Sequence, residues 1–232
     1  MVLIKGLQKM SLIDFEPYGV ATIFVGGCNF RCGFCHNPDL VLHSKDLKTI
    51  KEDEVLSFLE KRKKWLDGVC ITGGEPTLYT DLPSFISQIK EKEFLVKLDT
   101  DGYNPAMIKR LIDNKLLDYI AMDVKTSLED YENVVGVNVD INQIKKSIKL
   151  IQKSEIDYEF RTTVVPGLIT KENILKIGKL LKGSKKYILQ NFRSNRDMIE
   201  NRFKNITSYK QKEIDDMKKS VDGFFKEVLI KN

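Results

Sequence analysis

The order of segments in this 232-residue chain predicts an α/β fold, six strands each followed by a helix and curled into a partial barrel. Three observations predict it. Short, apolar, β-branched runs alternate with stretches of helical periodicity from residue 19 almost to the end. The runs are near-continuously apolar, as strands of a helix-covered parallel sheet are. Residues of unusual chemistry fall at the C-terminal ends of successive runs, where α/β barrels gather their functional groups. Alternation alone equally allows a doubly wound open sheet, and the third observation decides for the barrel. Six units fall short of the eight that close a TIM barrel, so a laterally open (β/α)6 TIM-like barrel is expected.

The elements follow in order. Residues 1–19 form an N-terminal extension. The first run, VATIFV (20–25), leads straight into a loop rich in cysteine. KEDEVLSFLEKRKKW then reads as a helix with a solvated, mixed-charge face. Further strands are expected at 68–72, 94–100, 118–124, 158–165 and 186–192. Asn104-Pro105 starts a helix that lines up Ile108, Leu111, Ile112 and Leu116. Asp140 with Gln143 is a capping-box variant ahead of Ile141, Ile144, Ile148 and Ile151. Thr170 caps a third helix, with Ile174, Ile177, Leu180 and Leu181 on one face and a stop near Gly183. No low-complexity tract or linker divides the chain. Residues 1–192 are read as the barrel with its extension, and 193–232 as a helical segment packed on the same domain.

Composition excludes several classes. With 42% hydrophobic and 31% charged residues, no region needs to be disordered. MVLIKGLQKM lacks the apolar core of a signal peptide, and no apolar run approaches membrane-spanning length. The expectation is a cytoplasmic protein without a membrane partner. The net charge of +5 is spread along helices rather than clustered, which argues against a nucleic-acid footprint.

Cys28, Cys32 and Cys35 stand in CNFRCGFCHN, at C-x3-C-x2-C spacing within one loop. Thiolates hold iron–sulfur clusters, and a four-iron cubane wants four of them. Three leave one iron for a ligand that is not protein, and an open coordination position marks a metal centre that does chemistry. Structural zinc is the bland alternative. It usually draws on two separated pairs, and Cys70, His36 and His43 complete none. Cys70 lies inside a strand and is read as core packing. A disulfide framework is unneeded in a chain of this length.

Downstream, Thr72-Gly73-Gly74-Glu75-Pro76 ends the second strand, where glycines allow close backbone approach. By itself a glycine pair is more often a tight turn. Asp99-Thr100-Asp101-Gly102 ends the third strand and Asp123-Val124-Lys125 the fourth. Carboxylates there are costly unless paired or bound to an ion, and a plain Asp–Lys rim pair is the structural alternative. The fifth strand carries Arg161-Thr162-Thr163-Val164-Val165-Pro166-Gly167.

The cysteine triplet with Phe34 before its last member, followed by GGEP, resembles the radical S-adenosylmethionine (SAM) enzymes. The D-T-D-G, D-V-K and R-T-T-V-V-P-G stretches narrow the resemblance to the glycyl-radical enzyme activating family. Within it the match is best to activators of anaerobic ribonucleoside-triphosphate reductase, through KMSLIDFEPYGVATIFVGGCNFRCGFCHNPDL, ITGGEPTL, LVKLDTDG and DYIAMDVKT. It covers residues from about Gly6 to Phe192. Asp101 replaces the family's Asn, and Gln190-Asn191-Phe192 lacks the histidine of pyruvate formate-lyase activators.

The resemblance implies a 4Fe–4S cluster on Cys28, Cys32 and Cys35, and SAM bound by its free iron. It places Phe34, Gly73, Gly74, Glu75, Asp99, Thr100, Asp123, Lys125, Arg161 and Val165 around SAM and brings a monovalent cation into view. It assigns no protein side chain as the catalyst, because the radical chemistry is SAM's own. It implies an electron from a flavodoxin or ferredoxin and a glycine of anaerobic ribonucleotide reductase as the target. Rival readings are a pyruvate formate-lyase type activator, a radical SAM enzyme for a small molecule, and a non-catalytic iron–sulfur carrier or scaffold.

Overall fold

The computed structural model describes residues 1–231, and a single eight-stranded sheet in strict sequence order organises them. β1 (Ile4–Ser11) runs antiparallel to β2 (Val20–Val25). From β2 onward every pairing is parallel, through β3 (Gly68–Gly73), β4 (Leu95–Thr100), β5 (Tyr119–Asp123), β6 (Asp157–Val164), β7 (Lys186–Asn191) and β8 (Glu227–Lys231). The helices are α1 (Pro38–Leu42), α2 (Glu52–Arg62), α3 (Leu82–Lys90), α4 (Pro105–Asp113), α5 (Tyr131–Val135), α6 (Ile141–Lys153), α7 (Lys171–Leu180) and α8 (Gln211–Lys219). β1 and β8 are the two edges of the sheet, so the barrel is open, as expected. All six predicted strands lie within a residue of their expected ends.

Two strands were not foreseen. β1 comes from the N-terminal extension and pairs through two register irregularities. β8 corrects the reading of 193–232 as helical: that segment holds α8 but ends in a strand parallel to β7. Its Val228-Leu229-Ile230 core is apolar with two β-branched residues, and the edge of β7 supplies its ladder. The final residue of that expected segment, Asn232, lies outside the described residues.

Alternation along each strand separates two interiors. Val96 and Leu98 of β4, Ile120 and Met122 of β5, and Phe160 of β6 are fully buried in the main core, together with Ile108, Ile148 and Ile174 from the helices. The helix caps foreseen in the sequence form. Asn104 accepts from Met107 N, Asp140 from Asn142 N, and Thr170 makes a capping box with Asn173. The opposite face of the strands lines the barrel and is polar. Its floor is closed by the turn after β1, where Phe15 packs with Val20 and Cys70 and meets Tyr119 at 5.5 Å. Thr22 Oγ1 donates to Asp14 there (2.6 Å), and Lys231 reaches Glu16 across the floor (3.1 Å).

Candidate metal and cofactor site

β2 ends where the backbone turns out of the sheet, and residues 26–37 form the cysteine loop over the C-terminal ends of the strands. The loop is pinned on both flanks: Gly27 N donates to Leu40 O (2.7 Å) and Arg31 N to Val135 O (2.8 Å). Within it, Phe30 N points at Cys28 Sγ (3.3 Å) and Asn37 N at Cys35 Sγ (3.4 Å). All four cysteines are unbridged. Cys28, Cys32 and Cys35 line one cavity of about 210 Å³ together with Phe34, whose ring meets Phe203 edge-on at 6.0 Å.

This donor set fits an iron–sulfur cluster. Burial pushes the Cys32 thiol up to about 11 and the Cys28 thiol higher still, so neither ionises unless a cation compensates it. Bound metal does that outright. Among the described residues no three His, Cys, Asp or Glu side chains converge on one metal-ion position, as a mononuclear zinc site would require. A cluster asks for less, since each cysteine holds a different iron. Cys70 stays apart, buried on the barrel floor, where desolvation raises its thiol well above the ordinary range.

The Gly73-Gly74-Glu75 turn has a structural duty that its glycines reveal. Gly73 has φ +114°, and a Cβ at Gly74 would collide with the Gly27 carbonyl. Gly74 N donates to Val25 O (2.9 Å) and Glu75 N to Gly27 O (2.8 Å), so the end of β3 clamps the root of the cysteine loop. These N–H groups are therefore engaged with backbone. Glu75 is 1% exposed and does not line up as a free carboxylate. Its Oε1 accepts from Thr77 N (3.0 Å), Thr77 Oγ1 (2.5 Å) and Thr100 Oγ1 (2.7 Å), and its Oε2 from Asp101 N (2.7 Å). It ties the end of β3 to the end of β4. Asp101 lies beside it, with Oδ2 at 4.0 Å from Cys28 Sγ; burial, then the Glu75 charge, pushes the Asp101 carboxyl well above the carboxylate range.

Behind the cysteines runs a ladder of alternating charge. Lys97 meets Asp99 (3.2 Å), Arg161 Nη1 reaches Asp99 (3.2 Å), Arg161 Nε reaches Asp123 (2.8 Å), and Lys125 meets Asp123 (2.9 Å). The parallel register produces it, since Asp123 lies directly opposite Arg161. Burial opposes ionisation of Asp99 and Asp123, but Arg161 leads a set of cations that more than offsets it and holds both below the usual range. Lys125 shows the converse: burial would discharge it, and Asp123 instead raises it well above its ordinary value.

The cavity gathers Phe34, Gly73, Gly74, Glu75, Asp99, Thr100, Asp123, Lys125 and Arg161 around the three cysteines. Val165 is the exception, fully buried in the main core and absent from the cavity wall; Thr163, two residues earlier, lines it instead. Sequence reasoning missed Lys97 and Glu159, the charges beneath Asp99 and Arg161. The signal was there, because each interrupts an apolar run two residues before a residue that was singled out. It also missed Ile199, which reaches the cavity from beyond β7. There the chain crosses the cysteine loop, with Glu200 N donating to Gly33 O (2.9 Å). No signal marked that crossing.

Comparison with known proteins agrees with this geometry. A model of the radical SAM superfamily matches residues 22–182. MJ1227 of Methanocaldococcus jannaschii, assigned by name to the glycyl-radical enzyme activating enzymes, is 36% identical over 235 residues, covering 99% of this chain and 95% of that protein. The pyruvate formate-lyase-activating enzyme of Clostridium pasteurianum is 26% identical, over 97% of this chain and 98% of that enzyme. Among solved structures, Streptococcus suis SuiB bound to S-adenosylmethionine superposes with a TM-score of 0.66 at 14% identity, over 88% of this chain. This chain spans about half of SuiB (48%). QueE from Escherichia coli gives 0.52 at 14% identity, over 82% of this chain and 83% of QueE. Likeness at such identities speaks for the fold alone.

Proposed function

Because the chain belongs to the radical SAM superfamily and, within it, to the glycyl-radical enzyme activating enzymes, we propose that the cavity at the strand ends holds the cluster and SAM, and that the target is anaerobic ribonucleotide reductase. The observation that carries the reading is the convergence of three loop cysteines and the Asp99–Arg161–Asp123–Lys125 ladder on a single cavity. When bound, the cluster and SAM supply one-electron reductive cleavage of a sulfonium and, from it, removal of a hydrogen atom from the target glycine.

The chain's own residues do the rest. Cys28, Cys32 and Cys35 would hold the cluster as its thiolate ligands. Lys125, with Nζ on Asp123 at the cavity wall, presents positive charge to a carboxylate. Arg161 does not swing free, because Asp99 and Asp123 fix it from two sides, and a fixed donor costs less to use than a mobile one. Gly73 and Gly74 line the same cavity, where an ammonium would meet backbone rather than side chains. Phe34 and Ile199 add apolar surface to the cavity wall beside the cysteines. Asp99 and Asp123 find their countercharge in Lys97, Arg161 and Lys125. The open edges of the sheet leave room for a glycine-bearing loop of another protein to enter from the side.

A pyruvate formate-lyase type target is the second reading, supported by the Clostridium relative. Against it, β7 ends in Gln190-Asn191 without the histidine that its activators bring. Anaerobically reconstituted protein, reduced chemically and given SAM with either enzyme, separates the two. The proposal expects a glycyl radical on the reductase and none on the lyase. The reverse pattern, or turnover of a small molecule with no protein radical, would move the assignment.

A further inference from the structure

Arg161 belongs to β6, yet its Nη1 reaches Asp99 on β4, two strands away (3.2 Å). Neighbouring strands stand about 4.8 Å apart, so the side chain has to cross the inner face of β5 to make that contact. What β5 presents there decides whether the crossing is open. Tyr119, Ala121 and Asp123 alternate onto that face, with Tyr119 in a small cavity on the barrel floor and Asp123 in the wall of the cysteine cavity. Asp123 takes the proton of Arg161 Nε (2.8 Å). Ala121 stands between them, fully buried, and pairs with Asp99 on one side and Glu159 on the other. Both of its partners in that row carry charge, and its own methyl group leaves the gap.

Glu159 supplies a second hold from below. The Tyr119 hydroxyl donates to its Oε2 (2.9 Å), which fixes the carboxylate, and its Oε1 stands 4.0 Å from Arg161 Nη1. Lys97, Tyr119 and Glu159 line the floor cavity, of about 80 Å³. The two cavities therefore meet back to back, at the Lys97–Asp99 and Glu159–Arg161 contacts. Bonds at Nε and Nη1 together fix the plane of a guanidinium, because its fork is rigid. Arg161 lines the cysteine cavity, so that plane is the one it shows to an occupant.

We propose that Ala121 and Glu159 are positioning residues for the SAM carboxylate. Ala121 keeps open the gap through which Arg161 crosses β5, and Glu159 holds the guanidinium in it. A carboxylate entering the cavity then meets a donor of fixed direction, with no reorganisation left to make. The proposal rests on the function given above. Neither residue lines the cysteine cavity, so each acts through Arg161.

The test compares wild-type protein with Ala121→Val, whose added methyl groups fill the gap, and with Glu159→Gln, which keeps an acceptor for Tyr119 and removes the charge. Calorimetry on reconstituted protein measures affinity for SAM and for decarboxylated SAM, the analogue that lacks only the carboxylate. The expected result is about tenfold weaker SAM binding in Ala121→Val and a smaller loss in Glu159→Gln, with the affinity for the analogue unchanged in both. In parallel, heteronuclear NMR of the metal-free protein follows the Arg161 Nε–H signal, identified by its loss in Arg161→Lys. Its exchange with solvent should quicken in both variants. Equal losses for SAM and the analogue would reduce the two residues to barrel packing and overturn the proposal. Unchanged SAM affinity in both variants, or an unaltered Arg161 signal, would overturn it too. Should Ala121→Val fail to fold, Glu159→Gln carries the same comparison. Wild-type protein that binds neither ligand would instead sink the function, and the exchange of Arg161 would still report how it is seated.

Discussion

Lys97 shows what a single residue does here. It is 5% exposed in the barrel interior, ion-paired with Asp99, donates to Asp14 O, and sits 5.9 Å from the Tyr119 ring. Removing one partner of a buried pair strands the other, at a cost of about 3–5 kcal/mol. Lys97→Met should destabilise the protein by that order in chemical denaturation and weaken SAM binding, since Asp99 then competes for Arg161. Loss of stability with SAM affinity intact would confine Lys97 to the scaffold. The same ladder sets a pH dependence. Asp99 titrates below its unfolded value, so its share of stability is fully present above about pH 4 and is lost as the pH falls through the depressed folded value. Asp99→Asn should shrink the loss of melting temperature between neutral and acid pH; an identical acid slope would contradict this. Cys28→Ala, Cys32→Ala and Cys35→Ala should each lose bound iron and sulfide after anaerobic purification, whereas Cys70→Ala should keep both. The three loop cysteines are legible in sequence because their spacing is local. Lys97 and Glu159 show there only as charges in apolar runs, and their part in the ladder depends on which strand lies beside which.

At the scale of elements, the strand-end turns carry two roles at once. The Gly73–Glu75 turn reads in sequence as a ligand-binding turn, yet its N–H groups and the Glu75 carboxylate are consumed in joining β3 to the cysteine loop and to β4. Gly74→Ala should therefore cost stability even without SAM, because its Cβ meets the Gly27 backbone and cannot be relieved by a rotamer change. Glu75→Gln replaces one acceptor oxygen by a donor amide within a fully engaged cluster, and should lower the melting temperature of the metal-free protein. Stability unchanged in both variants would return the turn to a purely ligand-binding role. The six core strands could be read because apolar β-branched runs announce them. β8 could not, since five residues after a turn of Asp222-Gly223-Phe224 look like the tail of α8 until β7 offers them an edge. The crossing of 193–206 over the cysteine loop was equally silent, being made by backbone bonds and by the Phe34–Phe203 contact.

The whole molecule is a sheet with two unlike ends. One end is plugged by Phe15 and its neighbours and tied across by Lys231 and Glu16. The other carries the cysteines and the charge ladder around one cavity. The motif residues other than Val165 gather around one cavity at that end, because each motif stands where a strand stops. The target protein leaves no comparable mark in the chain and rests on the resemblance. The most direct measurement is therefore made on the target itself. Reconstituted, reduced protein is incubated with SAM and an anaerobic ribonucleotide reductase whose glycines carry deuterium at the α-carbon. The account predicts a glycyl radical whose electron paramagnetic resonance doublet collapses to a near-singlet, with one deuterium recovered in each 5′-deoxyadenosine. An unlabelled 5′-deoxyadenosine formed with no glycyl radical would contradict it.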